Sequence, residues 1–113
     1  MKDYVSLKNR EFSKVYKTRK SKANHELIVY AVKNDLEYNR LGISVSKKIG
    51  NSVVRHRFCR LVRECYRSNR DNMKQGYDIV VIARPEVIGL KCQSVNKSFR
   101  HLLHKHHLLE DDE

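Results

Sequence analysis

The chain has 113 residues, room for one domain with a modest core, and 40% of them are hydrophobic. Lysine and arginine number 24 against 13 aspartates and glutamates, a formal net charge of +11 that points to a nucleic acid, with an anionic membrane surface as the rival partner. No apolar run approaches the roughly 20 residues of a spanning helix, no signal-peptide core follows Met1, and three cysteines without a C-x-x-C pair argue against a disulfide framework or zinc knuckle, so a soluble, cytoplasmic protein with no membrane partner is expected.

Leu7 to Lys17 suits a short helix capped by Ser6 or Asn9. Phe12 and Tyr16, four apart with Val15 beside them, share one face. They serve either as core or as a stacking platform for unpaired bases. The polar, basic stretch Thr18 to Asn24 reads as a loop. Glu26 to Lys33 is apolar and rich in β-branched residues, a strand covered on both faces, with Tyr30 as its one amphipathic residue. After a turn over Asn34 to Asn39, Arg40 to Ser46 alternates Leu41, Ile43 and Val45 against Gly42, Ser44 and Ser46. It reads as a second strand and hairpin partner of the first, whose flat Gly/Ser face leaves room for a large ligand, although a solvated face is the default.

Lys47 and Lys48 lead into a long helix. Gly50 permits a positive φ there, Asn51 or Ser52 can cap, and free N–H groups beside two lysines favour phosphate. At about 100° per residue, Val54, Phe58, Leu61, Val62 and Cys65 form a core stripe, while His56, Arg60, Arg63 and Arg67 gather opposite. Cys59 falls at the edge of the basic side. Glu64 is the only acid between Lys47 and Asn69. Like charges at i,i+4 weaken a helix, so such a row is offset by a polyanion rather than by solvent.

Tyr77 to Arg84 is a third, buried strand ended by Pro85. Lys91 to Leu109 is a second long helix carrying Val95, Phe99, Leu102 and Leu103. His101 and His104 lie three apart, but without a third ligand in register they fit a surface or RNA-facing role better than a metal site. The order is helix, strand, strand, helix, strand, helix: an α+β chain forming a single RNA-binding domain over 1–113, with its acidic tail, 110–113, expected to be disordered. No Ser/His/Asp spacing, paired carboxylates or P-loop is present, and carboxylates are too scarce for a two-metal nuclease site. No catalytic residue and no metal ligand is assigned. A stand-alone nuclease is disfavoured against a protein that binds folded or single-stranded RNA.

The segment G-N-S-V-V-R-H-R-F-C-R-L-V-R-E, preceded by L-G-I-S-V-S-K-K-I, resembles the protein subunit of bacterial ribonuclease P. The early Phe/Tyr helix, the strand ending near Tyr30 and the I-V-V-I-A-R-P strand extend the resemblance over nearly the whole chain. It implies a single-domain α/β sandwich of order α-β-β-α-β-α with a left-handed βαβ crossover, as in the second domain of ribosomal protein S5. It also implies a holoenzyme that removes the 5′ leader from precursor tRNA, with the active site and its Mg²⁺ in a catalytic RNA and no obligate protein partner. Carried onto matching positions, Lys47, Lys48, Asn51, Arg55, Arg57, Arg60 and Arg63 would contact the catalytic RNA, joined on the same helix by His56 and Arg67. Phe12, Tyr16 and Tyr30 would line the leader cleft, with Ser44 and Ser46 on the flat strand face. Two departures stand out: the central Asn of the family's Arg-Asn-Arg signature is His56, which can still donate to phosphate or base and would bring pH dependence, and a usual lysine is Cys59. The rival class is a structural or ribosome-associated RNA-binding protein without a processing role.

Overall fold

A computed structural model describes residues 4–110. It contains β1 (Val5–Ser6), α1 (Asn9–Lys17), β2 (Ser21–Ala23), β3 (Leu27–Lys33), β4 (Arg40–Ser44), α2 (Ser52–Asn69), β5 (Tyr77–Ala83) and α3 (Cys92–Lys105), with single 3₁₀ turns at Arg70–Asn72 and Pro85–Val87. The expected α-β-β-α-β-α order holds, with two short edge strands added. The sheet order is β1-β4-β5-β3-β2.

The hairpin expected between β3 and β4 does not form. β5 lies between them, antiparallel to β3 and parallel to β4. The reason lies in burial and in the turn. Ile79, Val80 and Val81 are fully buried on alternate faces, so β5 needs cover on both sides and takes the centre. The segment joining β3 to β4 bonds to the entry of β5 rather than to itself. The Asn34 N–H donates to Gly76 O at 2.9 Å, and the buried Asn39 side chain accepts from Tyr77 N at 2.8 Å and donates to Lys74 O at 2.9 Å. The parallel β4–α2–β5 connection is the βαβ crossover of the fold.

Helices α2 and α3 cover one face of the sheet. Phe58, Val62, Cys65 and Tyr66 of α2, with Val95, Phe99, Leu102 and Leu103 of α3, pack on Leu27, Val29, Leu41, Ile79 and Val81. Helix α1 crosses the other face, where Leu7, Val15 and Val80 form a smaller core edged by Phe12, Tyr16, Tyr30 and Ile82. Neither Ser6 nor Asn9 caps α1. Lys8 holds the N-cap position, and the Glu11 carboxylate accepts its backbone N–H at 2.6 Å. The other Glu11 oxygen meets Arg40, whose guanidinium also clasps Asp78 through Nε–Oδ1 at 2.8 Å and Nη2–Oδ2 at 2.7 Å. The two carboxylates hold the Arg40 pKa above its ordinary value, Asp78 most strongly.

Helix α3 ends at Lys105, short of the expected Leu109. His107 takes a positive φ of 57°, the chain folds back, and Leu108 and Leu109 enter the core, with Leu109 bridging Met73. Apolar burial of two leucines overrides helical continuation. Of the acidic tail, Glu110 N–H donates to Asn72 O at 2.7 Å, while residues 111–113 lie outside the described residues.

The reversal also places His106 against β3, its Nε2–H donating to Val29 O at 2.7 Å. Burial, aided by Lys22 and His107, holds the imidazole below its ordinary value of 6.5 despite that bond. The unfolded chain therefore takes up this proton first. The contribution is whole above pH 6.5 and is lost as pH falls through the folded value. Thermal denaturation from about pH 7.5 to about pH 5 should show the stability advantage of wild type over His106→Gln shrinking as acid is added, and two parallel curves would contradict the assignment.

Candidate nucleic-acid interface

The basic helix begins where β4 stops. Ser46 lies past the strand end, so it does not extend the Gly/Ser face. Its carbonyl accepts Ile49 N at 3.0 Å and its hydroxyl accepts Lys48 N at 3.1 Å, forming a turn that leaves both Lys47 and Lys48 exposed. Asn51 is the N-cap of α2, its side-chain oxygen accepting Val54 N at 3.0 Å. Gly50 is not at positive φ. It is small because a Cβ would meet Val54 Cγ1 at 2.6 Å, so the absent side chain lets the first turn close against the preceding loop.

Along α2 the core stripe is as expected, with Tyr66 and Asn69 continuing it. The basic side, however, divides in two. Arg55, Cys59 and Arg63 lie along a hollow of about 230 Å³ that Val45 closes at the end of β4, and His56 forms part of its rim. Arg55 is half-buried there, and its Nε is buried without a hydrogen-bond partner. Arg63 is steadied by donating Nε–H to Cys59 O at 3.3 Å. The second, more open hollow is lined by Ser52, Val53, His56, Arg57 and Arg60. Arg57 reaches outward from it to donate to Leu90 O at 3.1 Å. Arg67 departs from the unpaired row: it bonds Glu64 at 2.9 Å, an exposed i,i+3 pair. Replacing lysine by cysteine at position 59 puts a half-buried, uncharged thiol between Arg55 and Arg63. Cys65 is a core residue instead. Burial pushes its thiol up to about 12, with the hydrogen-bonded Cys92 thiol adding to the rise.

The aromatic residues meet on the opposite face. Strand register aligns Tyr30, Val80 and Gly42 in one row and Ile28, Ile82 and Ser44 in the next. Val15 seats α1 on Val80. Tyr16 meets Tyr30 edge-on at 5.2 Å between ring centres, and Phe12 lies 6.2 Å from Tyr16. The Gly/Ser face is therefore not a bare surface. Gly42 is buried beneath Phe12, and a Cβ there would sit 2.5 Å from Phe12 Cζ. What stays half-open is the floor beyond α1: Ile28, Ile82 and Ser44 under the edges of Phe12, Tyr16 and Tyr30. Stacking on a base needs an accessible ring face, and these three rings are each only partly buried.

The structure thus brings Phe12, Tyr16, Tyr30 and Ser44 together, and leaves Ser46 with Lys47 and Lys48 at the strand end. Sequence reasoning did not find the recess around Arg55 or the clasp of Arg40 on Glu11 and Asp78. The only available signal for the clasp was three isolated charges at the starts of elements, which carry no common period.

The closeness of Phe12 to Gly42 can be tested directly. Gly42→Ala should displace the ring and lower folding stability by about 1–3 kcal/mol in urea denaturation, the usual range for overpacking. An unchanged midpoint would mean that α1 does not rest on β4.

The family model for ribonuclease P matches residues 1–107. The ribonuclease P protein component of Lachnoclostridium phytofermentans is 49% identical over 109 residues, covering 96% of this chain and 94% of the relative. That of Clostridium acetobutylicum is 44% identical over 115 residues, covering 100% and 97%. Among solved structures, the RNase P protein of Staphylococcus aureus superposes with a TM-score of 0.86 at 35% identity, covering 96% of this chain and 99% of that one. The RNase P protein from Thermotoga maritima gives 0.81 at 34%, covering 87% and 94%.

Proposed function

The chain belongs to the ribonuclease P protein family, and from that premise we propose that its two faces divide the work of a ribonucleoprotein: α2 grips the catalytic RNA while the α1 face holds the 5′ leader of precursor tRNA. The chain is the protein subunit of an endoribonuclease that makes mature tRNA 5′ ends, and the catalytic activity resides in the RNA. The observation that carries the division of labour is the sheet between the faces. The arginine row of α2 and the aromatic rings of α1 and β3 sit on opposite sides of one sheet, and the segment from Ser44 to Lys48 runs from the end of β4 to the start of α2.

On the first face, Lys47, Lys48, Arg55, Arg57, Arg60 and Arg63 neutralise phosphates and His56 donates to phosphate or base, with Asn51 fixing the helix start and Arg67 at the far end, its charge partly offset by Glu64. On the second, Phe12, Tyr16 and Tyr30 stack unpaired bases over Ser44 and its neighbours. Stacking accepts any base, which suits leaders of varied sequence. Holding both RNAs on one body raises the effective concentration of the cleavage site at the RNA active centre. Mg²⁺ belongs to the RNA subunit in this reading. Glu11 and Asp78 are committed to Arg40, and among the described residues no three His, Cys, Asp or Glu side chains come together as a metal site. No described helix is long and apolar enough to cross a membrane, and we place the particle in the cytoplasm, with no further protein partner required.

Three measurements test this reading. Purified protein added to the catalytic RNA and precursor tRNA at low Mg²⁺ should release the leader, and protein alone should not. Cleavage by protein alone would relocate the chemistry, and no release in the reconstituted mixture would leave a purely structural RNA-binding role. Arg60→Ala with Arg63→Ala should flatten the salt dependence of catalytic-RNA binding by roughly one slope unit per lost phosphate contact, whereas an unchanged slope would remove α2 from the interface. Phe12→Ala or Tyr16→Ala should weaken precursor binding about 5- to 100-fold, the range for one lost base stack, and spare mature tRNA. Equal losses for both would assign these rings to folding.

A further inference from the structure

A third surface lies along α3, on the same side of the sheet as α2. The turn between β2 and β3 and the outer side of α3 enclose an open cleft of about 520 Å³. Its organising residue is Asn24. The Asn24 Oδ1 accepts two backbone N–H groups, from Leu27 at 2.9 Å and Glu26 at 3.2 Å. That fixes the orientation of the amide, because its Nδ2 must then be the donor. It donates to Ser98 O at 3.0 Å and to His101 Nδ1 at 3.3 Å. Since Nδ1 accepts, the neutral imidazole carries its proton on Nε2. The ring is held as a directed donor at an exposed position.

Other donors converge on the same space. Lys97 lies one turn before His101 on α3, and His25 stands across the cleft at the tip of the β2–β3 turn. Ser98 lines the cleft at 6% exposure, and its hydroxyl is buried without a partner. A helical serine ordinarily returns its hydroxyl to the preceding turn, so an unpaired one at the base of a donor-lined cleft is notable. Glu26 is the single acid of the lining, against one lysine and two histidines. The cleft also adjoins the basic helix: Leu90, part of its wall, accepts through its carbonyl the guanidinium of Arg57 at 3.1 Å.

From this geometry we infer that the cleft between the β2–β3 turn and α3 binds a backbone phosphate of the RNA strand that leaves α2 at Arg57, with His101 Nε2–H and the Lys97 ammonium as principal donors and His25 closing the site. This extends the catalytic-RNA contact proposed for α2, on which it rests, to a second element of the chain.

Two readouts test it. In the free protein, nitrogen-detected imidazole NMR should show His101 protonated on Nε2. Adding the catalytic RNA should shift the His101 and His25 ring signals and the Lys97 side-chain signals. In parallel, Lys97→Ala with His101→Gln, both at exposed positions, should reduce the salt slope of catalytic-RNA binding by about one unit, and less tight binding should persist at every salt concentration measured. An unchanged slope, while Arg60→Ala with Arg63→Ala still flattens it, would overturn the cleft and leave the role of α2 intact. An unchanged slope in both variants would overturn the broader reading as well. Shifts on adding inorganic phosphate, with no change in slope, would show an anion site that RNA does not use and would also overturn the inference.

Discussion

The molecule depends on Arg40. Placed at the first residue of β4, it holds Asp78 of β5 in a two-bond fork and Glu11 of α1 with its remaining amine. Bidentate guanidinium–carboxylate pairs fix direction as well as distance. Side-chain exposure of about a fifth at Arg40 and a tenth at Asp78 leaves solvent too little access to screen the charges fully. Three elements are therefore set relative to one another by one side chain. Beside this clasp, α1 rests on an apolar patch of Leu7, Val15 and Val80 edged by Phe12, Tyr16, Tyr30, Val32 and Ile82. The apolar patch and the ion cluster together keep the aromatic surface in place on the sheet.

The basic helix shows a related compromise. A row of arginines lowers intrinsic helix stability, and α2 recovers it from elsewhere: an Asn51 cap at one end, buried Phe58, Val62, Cys65 and Tyr66 along the inner side, and Asn69 at the far end bonded to Asn96 of α3 at 2.8 Å. The outer side is thus free to carry charge without securing the fold. Arg55 shows what that freedom allows: a half-buried guanidinium with an unpartnered Nε, a costly arrangement in the free protein that a bound anion would relieve.

Much of this was legible from the residues. The 3.6-residue period of α2 and α3 and the apolar runs of β3 and β5 pack where their patterns placed them, and the family signature gave the family. Three things were not legible, for separate reasons. β1 and β2 have two and three residues and almost no buried side chains, so they lack the alternation that marks a strand. The position of β5 between β3 and β4 depends on Asn39 reaching segments about 35 residues ahead, a long-range choice with no local trace. The closure of Gly42 under Phe12 reverses the meaning of a small residue: it marks contact rather than vacancy. His106, Asn24 and Ser98 are likewise defined only by what α3 packs against.

The reversal after α3 bears on how the chain acquires its structure during synthesis. Leu108 and Leu109 fill the same core as Leu27 and Leu41, and β1 waits for β4 before it has any strand to pair with. A nascent chain still emerging from the ribosome would hold a sheet and two amphipathic helices with their apolar sides incompletely covered. Such an intermediate, strongly cationic and surrounded by ribosomal and transfer RNA, is open to capture by the wrong polyanion before its last leucines emerge.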